Sequence, residues 1–218
     1  MKPDVARDLS DSAFDFERVV WPVIRPWLGG GELRAVEAVV HDGFDKELDT
    51  LSGIDGWHIL RGEHAIRGIA SRVQWGNAWD TFTIRMSRPN GVPTEYEKRL
   101  HALNNAERGF LLPHVTTQAY VADPAREGDL LSVALIRTTT LFREAERLVS
   151  IGRDGERGRW GFRTTYSGER LLWISWDVFR SPDIKVWRHG KQDARQQSDW
   201  ISEYDAACRS LYGPAEQQ

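Results

Sequence analysis

Alternation of apolar and polar residues dominates the middle of this chain. Over residues 66–75, Ile69, Ser71, Val73 and Trp75 alternate with Ala70, Arg72 and Gln74. That period of two predicts a half-buried strand. Residues 81–86 repeat the pattern, with Phe82, Ile84 and Met86 opposite Thr81, Thr83 and Arg85. Strands are also expected over 44–51, 54–60, 114–121 and 130–137. Helical spacing appears elsewhere. A first helix is expected from Asp11 or Ser12 to Trp21, bent or ended by Pro22 and Pro26. Gly29-Gly30-Gly31 reads as a hinge; it has neither the lysine nor the Ser/Thr of a phosphate loop. Leu33, Val36 and Val40 predict a short helix over 32–41. Thr94 and Glu97 form a capping-box pair, so another helix should start there and end near Gly109. A third helix is expected over 141–149.

The last third reads as a β meander with a closing helix. Strands are expected over 159–166 and 171–179, joined by a turn at Ser167-Gly168-Glu169-Arg170, with an edge strand over 183–187. A helix over 198–211, ended by Gly213-Pro214, completes the chain. Neither a repeat nor a linker interrupts this order. The simplest organisation is one α+β domain over 1–218, with a core at about 32–150 and a C-terminal extension at about 151–218.

Composition changes this picture in three respects. A chain of 218 residues with 40% hydrophobic content can bury a core without metal or disulfide staples. Its one cysteine, Cys208, has no partner within the chain, which fits a reducing compartment. Cys208 falls on the expected closing helix, where packing is the favoured role. No apolar run approaches a membrane span, and no apolar signal region follows Met1-Lys2-Pro3-Asp4, so the expected location is cytoplasmic. The net charge of −3 argues against broad, non-specific coating of nucleic acid while leaving room for a local basic groove. Ten tryptophans are unusual. Core and interface packing is their plainer reading, and base stacking the sharper one.

The order helix, three strands, helix, strand across 32–121, with Asp55 in the second strand region and Arg72 and Gln74 on the third, resembles the restriction-endonuclease-like superfamily. Its core is αβββαβ, a mixed sheet flanked by helices. Its signature is an Asp followed on the next strand by Asp/Glu-x-Lys. The resemblance makes Asp55 the metal-binding Asp and puts Arg72 and Gln74 in the Asp/Glu and Lys places. Neither of those two residues is the expected type. Some members carry the second acidic residue or the lysine on the following helix, where this chain has Glu95, Glu97 and Lys98. Gln118 and Tyr120 match polar substrate-contacting positions on the next strand, and Glu37 an acidic residue on the first helix.

The resemblance implies a nuclease-like protein that hydrolyses a phosphodiester of DNA or RNA with Mg²⁺. Carboxylates hold such an ion through oxygen, and the ion activates water and stabilises charge on the phosphate. Asp49, Asp55 and Glu95 would be the ligands. Gln74 would orient the water, and Arg72, Arg85 and Lys98 would contact phosphate. Plainer roles stay open for each residue. Asp55 in Gly-Ile-Asp-Gly suits a turn, Asp49 a solvated strand, and Glu97 the cap alone. Glu95 and Lys98 suit an exposed helical turn, with Glu95 pairing Arg99 four residues on. Arg72, Gln74 and Arg85 suit strand faces in water. The degenerate motif admits an alternative: a catalytically inactive subunit on the same scaffold, binding nucleic acid or a protein partner within a larger complex, with Arg157, Arg159, Arg163 and Arg170 tracking a phosphate backbone. A small-molecule enzyme is a third reading. Six histidines without HxH or HxxxH spacing give no zinc site.

Overall fold

A computed structural model describes residues 5–35, 53–87, 91–124, 128–152 and 158–189. The expected positions Glu37, Asp49, Arg157 and Cys208, the strand over 44–51 and the helix over 198–211 lie outside them. The fold is α+β. Helix α1 (Val5–Asp15) continues through a π-helical turn (Phe16–Val20), α2 (Trp21–Ile24) and a 3₁₀ turn (Arg25–Leu28). Strands β1 (Glu32–Ala35), β2 (Gly56–Leu60) and β3 (Ala65–Trp75) form an antiparallel meander, followed by β4 (Thr81–Ser87). Helix α3 (Glu95–Asn104) leads to β5 (Val115–Val121) and β6 (Leu130–Arg137). Helix α4 (Thr138–Ile151), β7 (Trp160–Thr164), β8 (Arg170–Ser175) and β9 (Ile184–Arg188) follow.

Two sheets result. A six-stranded sheet runs β1-β2-β3-β5-β6-β9, and a three-stranded sheet runs β4-β8-β7. Strand β5 lies parallel to β3, as a crossover through a helix requires, and its seven residues are all buried. Its two faces belong to different cores. Val115, Ala119 and Val121 meet Phe16, Val20 and Ile24 of the N-terminal helical segment. Tyr120 turns the other way, among Phe82, Ile84, Phe142 and Trp176. The extension beyond residue 151 is built into both sheets: β9 pairs with β6, and β8 pairs with β4.

Two expected elements differ. Residues 32–35 form a strand, not the start of a helix, because Glu32–Ala35 find hydrogen-bonding partners along β2. The first helix runs on past Trp21, because Pro22 and Pro26 sit in the first turns of new helical segments, where no amide donor is needed. The triple glycine is a close approach: Gly31 has φ +85, and a Cβ there would lie 2.5 Å from Nε2 of the buried His58.

The capping box forms in full. Thr94 Oγ1 accepts from the Glu97 amide, and the Glu97 carboxylate accepts from the Thr94 amide at 2.7 Å. These bonds from Thr94 hold the Glu97 carboxyl below its ordinary value of 4.5. A depressed carboxyl stabilises the fold at pH above the ordinary value and loses that contribution as pH falls through the folded one. Thr94→Ala is expected to cost about 1 kcal/mol. In urea denaturation from pH 7 to pH 3, Glu97→Gln should flatten part of the acid decline. An unchanged decline would show that the cap is not titrating.

Candidate functional site

Three elements converge where β2 stops pairing with β3. Gly56 opposite Ile69 is the end of that ladder, so among the described strands β3 from Ala70 onward has β5 on one side alone. Asp55 extends the pattern by one step: its amide donates to Ile69 O at 2.9 Å, and its Oδ2 accepts from the Ser71 amide. Strand β4 crosses nearby, and the capped end of α3 closes the third side. The result is a cleft of about 620 Å³.

Alternation on β3 and the parallel register place Arg72 beside Gln118 and Gln74 beside Tyr120. Arg72 is the hub. Its Nη1 donates to Thr83 O at 2.7 Å and to Thr83 Oγ1 at 3.0 Å, while Nη2 meets Glu95 Oε2 at 2.8 Å. The same Glu95 oxygen accepts from the Arg85 amide at 3.4 Å. Arg85 itself pairs with Glu169 at 3.1 Å. Thr83 Oγ1 donates to Gln118 Oε1 at 3.2 Å. Gln118 is 2% exposed, and its Nε2 has no partner among the described residues. A buried amide nitrogen in that state is costly unless something accepts from it.

Seven of the expected site residues therefore line one cleft: Asp55, Arg72, Gln74, Arg85, Glu95, Lys98 and Gln118. Tyr120 does not. It is fully buried, its hydroxyl donates to Thr81 O at 2.9 Å, and burial raises its pKa. It ties β5 to the start of β4 and faces the core, not the cleft. Glu95 pairs with Arg72 and not with Arg99; Arg99 is buried and donates to Gly53 O. Thr83, Arg99 and Glu169 escaped the sequence reading. Thr83 carried the one usable signal, a hydroxyl on the polar face of a strand next to Arg72 and Gln74.

Among the described residues no three His, Cys, Asp or Glu side chains group as metal ligands. Glu95 Oε2 is held by a guanidinium and an amide, and Asp55 Oδ2 by an amide. The cleft is lined by the cations Arg72, Arg85, Lys98 and Arg99 and the carboxylates Asp55, Glu95 and Glu169, most of them engaged with one another or with backbone, and the Gln118 Nε2 is the donor that lacks a partner among the described residues. A ligand with an acceptor would satisfy that donor. No protein-family model matches this chain, and no curated protein or solved structure matches it. Among the described residues no helix is long and apolar enough to cross a membrane.

Proposed function

We propose that the cleft binds nucleic acid without cutting it, as a non-catalytic module on a restriction-endonuclease-like scaffold. The observation that carries this reading is the floor of the cleft. Arg72 and Gln118 stand side by side there, and Gln118 keeps a buried donor without a partner among the described residues. Phosphodiester oxygens and base carbonyls are the acceptors such donors recognise. The β1–β3 meander, α3 and parallel β5 support the scaffold, although the helix expected at 32–41 is a strand at 32–35 and β4 is inserted before α3. Arg72 and Gln74 supply neither a carboxylate nor a lysine where hydrolysis on that scaffold needs them. A place within a larger cytoplasmic assembly suits a module of this kind.

The metal-dependent nuclease is the second reading, favoured by Asp55 and Glu95 lining the same cleft. Labelled single- and double-stranded DNA and RNA, titrated with Mg²⁺ and Mn²⁺ against the wild type and Asp55→Ala, separate the two. The expected result is salt-sensitive binding by both proteins and cutting by neither. Gln118→Leu should weaken binding about tenfold, the cost of leaving an acceptor unpaired. Cutting that disappears in Asp55→Ala would establish the nuclease. Failure of the wild type to bind any strand would end both readings.

A further inference from the structure

The outward face of the three-stranded sheet continues the wall of the cleft. Cross-strand register arranges it in two rows. Thr83, Trp173 and Gly161 make one row, and Arg85, Leu171 and Arg163 make the next. Thr83, Arg85 and Leu171 already line the cleft. Trp173 is therefore the next residue along the same surface, one strand beyond the Thr83 hydroxyl that organises Arg72, Gln74 and Gln118.

The indole is laid down by its neighbour. A Cβ on Gly161 would lie 3.0 Å from Trp173 Cζ2 and 3.1 Å from both Cε2 and Nε1. Three adjacent ring atoms at nearly equal distance mean that the ring lies across the Gly161 backbone and does not stand off the sheet. Any side chain at 161 would lift it. Trp173 stays half-buried, and among the described residues no other ring stacks on it. The other tryptophans of the small sheet and its following turn, Trp160 and Trp176, are buried in the core, as the packing reading expected. Trp173 departs from that pattern.

The charge beside it is positive. Arg163 is exposed and makes no ion pair or hydrogen bond among the described residues, and Arg85 stands across the sheet from it. The acid at this wall, Glu169, is engaged by Arg85. Adjacent strands lie about 4.8 Å apart, so the two guanidinium-bearing strands flank the tryptophan strand at about 10 Å from each other. A flat indole between two arginine-bearing strands, on a chain whose net charge is −3, selects an anion that carries flat rings.

We propose that this face is a stacking platform for single-stranded nucleic acid: one base lies on Trp173, with the flanking phosphates on Arg85 and Arg163. The proposal rests on the nucleic-acid reading of the cleft and narrows it to unpaired strands, because a base held in a duplex cannot present its face to the ring.

The test is fluorescence anisotropy with a short labelled oligothymidylate, an abasic strand of the same length and charge, and a duplex of matching length, at one salt concentration. The intact protein should bind oligothymidylate about tenfold more tightly than the abasic strand, the scale of one base stacked on an aromatic side chain. Trp173→Ala should abolish that difference, and Trp173→Phe should keep most of it. Duplex affinity should stay the same in both variants. Equal affinity of the intact protein for the thymidylate and abasic strands would overturn the platform even if neither variant folded. A loss in Trp173→Ala shared equally by single strand and duplex would overturn it too. If the intact protein binds strands and Gln118→Leu weakens that binding while the abasic strand binds as well as thymidylate, the platform fails and the cleft reading survives. If no strand binds, both fail, and the surface belongs to a protein partner.

Discussion

Arg72→Met is expected to lower unfolding stability by about 2 kcal/mol, and Arg72→Lys by roughly half as much. Arg72 joins three elements through one planar group: its own strand β3, the Thr83 carbonyl and hydroxyl on β4, and Glu95 in the first turn of α3. Removing the guanidinium leaves Thr83 O short of a donor and Glu95 with the Arg85 amide alone. A fully buried pair would cost about 3–5 kcal/mol to break. Here the side chains are 28% and 23% exposed, so water reaches both and the figure is discounted. Lysine keeps the charge but reaches one acceptor where the fork reaches three. Urea denaturation of Arg72→Met, Glu95→Leu and the double variant measures the coupling, which should fall at about 1–2 kcal/mol. A coupling near zero would show a solvent-screened contact that does not hold α3 to the sheets.

That hub shows what a single chain of letters reveals. Arg72 and Gln74 were legible as sharing the polar face of one strand because strand alternation is a local rule with a period of two, whereas Gln118 beside Arg72 comes from the parallel pairing of β5 with β3. The end of α3 was legible for the same reason: Thr94 and Glu97 satisfy each other within one turn. Strands β3, β4 and β6 follow their patterns closely, since each is long enough for the alternation or the apolar run to be distinct. Residues 32–35 were not legible. Leu33 carries a helical spacing with Val36 and Val40, and its strand state comes from β2, more than twenty residues away. The partners of Arg72 were hidden likewise. Glu95 and Thr83 meet it only because β4 leaves the large sheet to join β8, and nothing between residues 76 and 80 announces that departure. Glu169 reaches Arg85 from a hairpin turn in the last third of the chain. Tyr120 was misplaced for a simpler reason. Alternation assigned it to the face of Gln118, and that face is a cleft at 118 and a core at 120.

The residue that makes the departure of β4 possible is Asp80, and Asp80→Ala should be among the most damaging single changes, at about 3 kcal/mol. Its backbone has φ +50, a left-handed conformation that Asp and Asn tolerate better than Ala. Its Oδ1 accepts from Ser132 Oγ at 2.8 Å on β6, and its Oδ2 from Arg188 Nε at 2.6 Å on β9. Its carbonyl accepts from the Trp176 amide at 2.9 Å, just after β8. One residue thus fastens the start of β4 to the far strands of the large sheet and to the adjoining end of β8 in the small one. Alanine would lose both side-chain bonds, strain the corner, and leave the Arg188 guanidinium over the Trp176 ring without its main carboxylate. Asp80→Asn keeps the backbone preference and an acceptor, so it should cost less than half as much. The consequence extends to the cleft, which Asp80 does not line. The wall carrying Thr83, Arg85 and Leu171 is positioned against Arg72 by this corner, so Asp80→Asn should weaken strand binding while the protein remains folded. Stability and strand affinity, measured on the same two variants, test this directly. If Asp80→Asn lowered stability without touching affinity, the cleft would be set by β4 and α3 alone, and the corner would serve the fold only.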